Sequence, residues 1–125
     1  MNTISRQKLL AELSKVAPRE TLLASEEALR PFECDGLSMY RELPLLVAIP
    51  ETVTQVRGIL RTCNRLRVPV VTRGAGTGLS GGALPLKDGL LLVLTRLNRI
   101  LHVDPLARTA RVEPGVRNLA VSEAV

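Results

Sequence analysis

The residues in this sequence best suited to chemistry are glycines. Five of the nine fall in Gly74-Ala-Gly-Thr-Gly-Leu-Ser-Gly-Gly82. Glycine permits positive φ and carries no side chain, so successive glycines let backbone N–H groups converge on an anion. Thr77 and Ser80 add hydroxyl donors. A diphosphate, with fixed charge and many acceptor oxygens, suits such a surface. The competing reading is a Gly-rich turn with no ligand, which would carry the conformational-entropy cost of five glycines without a reason for it.

Two better-known phosphate motifs are excluded. Gly76-Thr-Gly-Leu-Ser-Gly81 formally fits G-x-G-x-x-G after an expected strand. A Rossmann unit, however, opens a long helix directly from that loop, its N-terminus facing the pyrophosphate. Here the chain continues as Gly82-Ala-Leu-Pro-Leu-Lys-Asp-Gly89, whose Gly and Pro residues break a helix. A Walker A loop fails because the chain has no Gly-Lys-Ser or Gly-Lys-Thr. The phosphate is therefore expected on loop amides between strands, without a helix dipole.

Other reactive side chains are few. His102 is the single histidine and falls in an expected strand with no local carboxylate, which makes it a packed or surface residue rather than a catalyst. Cys34 and Cys63 lie far apart with no second pair, so the spacing offers neither a zinc nor an iron–sulfur site. Both read as packed thiols. No catalytic residue and no metal ligand is assigned.

The elements that must position the glycines follow from periodicity. Leu9, Leu10, Leu13 and Val16 mark a helix from about Ser5 to Val16, stopped by Pro18. Ser25-Glu-Glu-Ala-Leu29 forms a helical turn, 32–41 has no period and reads as a loop, and Leu45 to Ile49 is a buried strand between prolines. Thr52-Val-Thr-Gln55 fits a capping box, with Thr and Gln satisfying backbone N–H groups reciprocally. Val53, Val56, Ile59 or Leu60, Cys63 and Leu66 form the apolar face of the helix that follows. Arg57, Arg61 and Arg65 make a basic stripe on another face, read as solvated. Strands are expected at Val68 to Thr72, Leu90 to Leu94, Ile100 to Val103 and Thr109 to Glu113, the last two parted by the turn signal Asp104-Pro105. A helix begins near Asn118, and the chain ends within it at Val125 without a terminal cap, so the sequence reads as cut off.

With 125 residues, 46% apolar and 23% charged, the chain fits one ordinary globular domain. The longest apolar run, Leu90 to Leu94, is too short to cross a bilayer. Arg6 and Lys8 are followed by Glu12 and Lys15 rather than by an apolar core, which is unlike a signal peptide, and the expected location is cytoplasmic. The net charge of +5 raises nucleic acid as a partner, but one Tyr, one Phe and no Trp leave no stacking platform, and nucleic-acid binding is not expected.

Val68-Pro-Val-Val-Thr-Arg-Gly-Ala-Gly-Thr-Gly-Leu-Ser-Gly-Gly82 resembles the pyrophosphate loop of the flavoenzyme family that includes vanillyl-alcohol oxidase and p-cresol methylhydroxylase. Within it, Glu33-Cys-Asp-Gly-Leu-Ser-Met-Tyr-Arg41 and Val112-Glu-Pro-Gly-Val-Arg-Asn118 are similar to the FAD-linked D subunits of bacterial glycolate oxidases. The likeness is read from about residue 30 onward. It implies an α+β chain: the first subdomain, truncated, of a two-subdomain p-cresol methylhydroxylase-type FAD-binding domain, with 1–30 as an N-terminal helical segment and 31–125 as the incomplete domain. It implies FAD, with Arg73, Gly74, Ala75, Gly76, Thr77, Gly78, Leu79, Ser80, Gly81 and Gly82 at the pyrophosphate and Pro114 and Gly115 near the flavin. Because 73–85 contains no His, Cys or Tyr, attachment through this segment is expected to be noncovalent. Asp35 and Tyr40 fall in a motif segment whose role stays open between cofactor contact and a capped loop. The implied reaction is oxidation of a small 2-hydroxy acid such as glycolate. Companion subunits, one of them iron–sulfur, are implied as well, with at most peripheral attachment to a membrane. Oxidation of D-lactate or another D-2-hydroxy acid, a stand-alone phosphate- or nucleotide-binding module, and a basic interaction protein remain the alternatives.

Overall fold

The computed structural model describes residues 4–34, 36, 40–77 and 81–125. Two helices and a four-stranded sheet form its main body. Helix α1 (Arg6–Leu13) starts at Ser5, whose hydroxyl accepts from Lys8 N–H. A short strand β1 (Leu22–Leu23) and the helical turn α2 (Glu26–Leu29) follow. Strand β2 (Leu46–Ala48) leads into the long helix α3 (Val53–Leu66) and strand β3 (Val70–Arg73), and then strand β4 (Leu90–Val93). The sheet order is β1-β2-β4-β3, with β1 antiparallel and the other three strands parallel.

Helix and strand alternation explains why the central strands β2 and β4 are buried on both faces. Parallel strands need crossover connections that cover them, so their residues read as unbroken apolar runs. Leu46, Ala48, Leu90 and Leu92 pack with Leu9 and Leu13 of α1 and with Ile59 and Cys63 of α3. Val47, Leu91 and Val93 pack on the opposite face with Leu29, Phe32 and Leu43. Burial pushes the Cys63 thiol up to about 11, so it is an inert core group at neutral pH. Glu12 of α1 joins Arg65 of α3 at 2.9 Å, and Arg6 Nε donates to the Leu45 carbonyl at 2.7 Å. Residues on both sides of position 30 thus share one core and one sheet.

Helix α3 keeps the expected boundaries with two differences. Thr52 Oγ1 accepts from Gln55 N–H, but the Gln55 side chain accepts from Glu51 N–H instead of returning to Thr52. Val53 sits in the first turn and is 62% exposed, because the face toward the sheet begins only at Val56; Ile59, not Leu60, is the buried member of its pair. The helix stops at Arg67, in the left-handed region with φ 56°.

Past β4 the chain makes a second, two-stranded sheet. Strands β5 (Ile100–Asp104) and β6 (Thr109–Val112) form an antiparallel hairpin with a register shift between Ile100 and His102. Asp104 Oδ1 accepts from Leu106 and Ala107 N–H and closes the turn. Every residue of β6 is exposed. Helix α4 (Asn118–Ala124) ends the described chain. Among the described residues, no helix is long and apolar enough to cross a membrane. Mixed helix and sheet match the α+β expectation; β1 was not anticipated, and β3 begins two residues later than the pattern suggested.

Candidate functional site: a cleft beside the glycine-rich loop

Strands β3 and β4 are parallel neighbours, yet among the described residues no helix joins them. The Gly-rich segment is itself their crossover, leaving β3 at Arg73 and rejoining at Leu90. Leu90 N–H donates to Pro69 O and Leu94 N–H to Arg73 O, so both limbs of the crossover are anchored on the ladder. This places the loop outside the carboxyl ends of two parallel strands, where open sheets offer ligands a crevice.

Gly76 has φ +76°, a conformation that side chains resist, and a Cβ there would lie 3.1 Å from Arg73 Cδ. Among the described residues, nothing lies within 4 Å of where a Cβ on Gly81 or Gly82 would stand. Arg73 itself is buried. Its guanidinium donates to Ala83 O at 2.8 Å on the returning limb and to Phe32 O at 3.1 Å in a distant turn. Thr77 is exposed. Gly78, Leu79, Ser80 and Asp35 lie outside the described residues.

The facing wall comes from residues far along the chain. After β4, Leu97 N–H donates to Leu94 O and closes a turn. Gly115 N–H donates to Leu97 O at 2.7 Å, and a Cβ on Gly115 would collide with the carbonyl oxygens of Leu94 and Leu97. Only glycine lets these two turns touch. The Pro114 carbonyl meanwhile lies against Gly74, 3.7 Å from where its Cβ would stand. Glu113, just before, is held by Arg99: its carboxylate accepts from Arg99 N–H, Nε and Nη2 at 2.8, 3.1 and 2.8 Å. Those hydrogen bonds keep the Glu113 carboxyl below the usual carboxylate range and push the Arg99 guanidinium above its own.

Between the walls lies a cleft of about 270 Å³ lined by Ala75, Thr95, Asn98, Gly115, Arg117 and Ala120. Of the expected residues, the fold brings Ala75 and Gly115 onto one cleft and Gly74 beside Pro114. Thr95, Asn98 and Arg117 were not foreseen. Their signal was positional: Thr95 to Asn98 directly follow a buried parallel strand, at the same carboxyl edge as the glycines. Hydroxyl, amide and guanidinium groups together suit an anionic, hydrogen-bonding ligand. His102 is exposed on β5 opposite Arg111, away from the cleft-lining residues. Tyr40 is 58% exposed.

Known proteins with this pattern are flavoproteins. A family described as FAD binding domain matches residues 44–125. The glycolate oxidase subunit GlcD of Escherichia coli (strain K12) is 57% identical over 122 residues, 98% of this chain and 24% of that protein. That span includes the residues before 30, so the likeness reaches further toward the N-terminus than the motifs alone indicated. A D-lactate dehydrogenase of Anaerostipes hadrus is 29% identical over 110 residues, 87% of this chain and 23% of that protein. Among solved structures, p-cresol methylhydroxylase with substrate bound superposes with a TM-score of 0.82 at 25% identity, over 94% of this chain and 24% of that one. The chain therefore spans about a quarter of the length of these relatives. The glycine backbone at Gly76, with positive φ, and the hydroxyl, amide and guanidinium groups of Thr95, Asn98 and Arg117 on the cleft fit a cofactor with a diphosphate. The chain belongs to the FAD binding domain family.

Proposed function

We propose that this chain forms the pyrophosphate wall of an FAD-dependent oxidoreductase that converts glycolate, a small 2-hydroxy acid, to its 2-oxo acid. The observation that carries the reading is the cleft at the carboxyl ends of β3 and β4, where Ala75 of the glycine loop faces Gly115. Backbone N–H groups within 74–82 hold the pyrophosphate, with Thr77 and Ser80 as hydroxyl donors. Pro114 and Gly115 form the wall toward the flavin, and Thr95, Asn98 and Arg117 add polar contacts. When bound, FAD supplies the acceptor for the hydride leaving the hydroxyl-bearing carbon. Attachment through this segment is noncovalent, since 73–85 contains no His, Cys or Tyr for a covalent bond.

Identity favours the substrate class: 57% to a glycolate oxidase subunit against 29% to a D-lactate dehydrogenase. The relative's description as a subunit supports companion chains, and an iron–sulfur chain would suit onward transfer of electrons. We place the protein in the cytoplasm, at most peripherally attached to a membrane through those partners.

Gly76→Val tests the loop. A β-branched residue at φ +76° costs about 1–3 kcal/mol in strain and displaces the Arg73 stem beneath it. In the protein that also carries the second subdomain, FAD titration followed by flavin fluorescence should show binding to the wild type and little or none to the variant, with unchanged far-UV circular dichroism. Acid precipitation of the wild-type complex should release all flavin to the supernatant. Equal FAD affinity in a folded Gly76→Val protein would remove the loop from the cofactor site.

A further inference from the structure

We propose that Glu113 is a positioning residue for the cleft, pinning through Arg99 the turn that carries Gly115 and Arg117 against the glycine loop. The inference rests on the reading of this cleft as the FAD site. Glu113 is 8% exposed although it carries a charge, and such burial needs full pairing. Both carboxylate oxygens are used: Oε2 accepts from Arg99 N–H, and Oε1 from the guanidinium fork. The reverse contact, Glu113 N–H to Arg99 O at 2.9 Å, completes the lock.

Its place in the chain gives the lock its purpose. Residues 99 and 113 flank the hairpin, whose second strand is wholly exposed and offers little packing to fix its base. Two residues after Glu113, Gly115 is pressed on the Leu94 and Leu97 carbonyls, and Val116 N–H donates back to Glu113 O. With no slack at Gly115, a displacement of Glu113 is passed directly to the cleft lining. An ion pair that only adds stability needs no such location. Glu12–Arg65 is that kind of pair, joining α1 to α3 with none of its residues on the cleft.

The experiment compares Glu113→Gln, Arg99→Lys and Glu12→Gln in the 125-residue chain, below the melting transition of each. Glu113→Gln sets an amide N–H₂ against the guanidinium and breaks the fork. Exchange of the Gly115 amide should quicken about tenfold, amide resonances of Gly74 and Ala75 should shift, and FAD should bind about tenfold more weakly. Arg99→Lys keeps the charge and the backbone donor but loses the fork, and should fall between variant and wild type. Glu12→Gln should lower the melting temperature without moving these signals. The proposal is overturned if Glu113→Gln leaves Gly115 exchange unchanged, or if Glu12→Gln reproduces its effects. FAD binding is read in the protein that also carries the second subdomain; its absence there in the wild type would instead sink the cofactor reading, and the exchange data alone would then decide the pinning.

Discussion

Arg73 ties the glycine-rich loop to the rest of the fold. Its guanidinium donates to the carbonyls of Ala83 and Phe32, one on the far limb of the loop and one in another turn. Nη2 donates to both carbonyls and Nε adds a second bond to Ala83 O at 3.3 Å, a paired approach set by the planar guanidinium, which lysine lacks. We therefore expect Arg73→Lys and Arg73→Ala to weaken FAD binding alike, by about tenfold, since hydrogen bonds to a charged group are worth about 1.5–3 kcal/mol each. If Lys retained wild-type affinity while Ala did not, charge would be the working feature and the brace would be refuted. Titration of flavin fluorescence reads both. The glycines were legible in the sequence because their departure from ordinary composition is local. The target of Arg73 was not, because Phe32 lies 41 positions away and only the fold brings it near.

Among the elements, α3 was read from its cap and its apolar stripe, and β2 and β4 from their unbroken apolar runs. Each of those signals is carried by adjacent residues. Strand β1 is two residues long and exists only through its pairing with Val47 and Ala48, so no local pattern announces it. The end of α3 was equally hidden. Val68 N–H donates to Cys63 O and Arg67 N–H to Asn64 O, the pair of bonds of a Schellman motif, with Val68 and Cys63 sharing the core. That motif calls for a left-handed residue, where glycine is at ease, yet Arg67 occupies it at φ 56°. An L side chain there costs about 1–2 kcal/mol. Arg67 is exposed, so little packing is lost with it. Arg67→Gly should accordingly stabilise the chain, by about 1 kcal/mol after allowing for glycine's greater freedom when unfolded. The melting temperature should rise by several degrees. A fall would mean that the arginine side chain makes contacts worth more than the strain it imposes.

At the scale of the whole molecule, two carboxylates join segments distant in sequence. Glu12 ties α1 to α3 through Arg65, and Glu113 ties the hairpin base through Arg99. Hydrogen bonds from those partners lower both carboxyl pKa values in the folded chain, those of Arg65 foremost at Glu12 and those of Arg99 at Glu113. A depressed folded pKa means that the unfolded chain binds protons first as pH falls. The stabilisation is therefore complete above the unfolded carboxyl value, about 4.3, and is lost as pH drops through the folded values below it. Net charge acts in the same direction: from +5 at neutral pH it climbs as the carboxylates are neutralised, and self-repulsion then favours the open chain. The thermal midpoint should be nearly flat from about pH 8 to 5.5 and fall steeply below about pH 4.5. Replacing Glu12 and Glu113 together by Gln should lower the plateau and flatten the descent, because the groups that release their stabilisation in acid are gone. Circular dichroism melts across that range measure both curves. Parallel descents in the double variant and the wild type would assign the acid response to other carboxylates, and the two ion pairs would then contribute nothing that titrates.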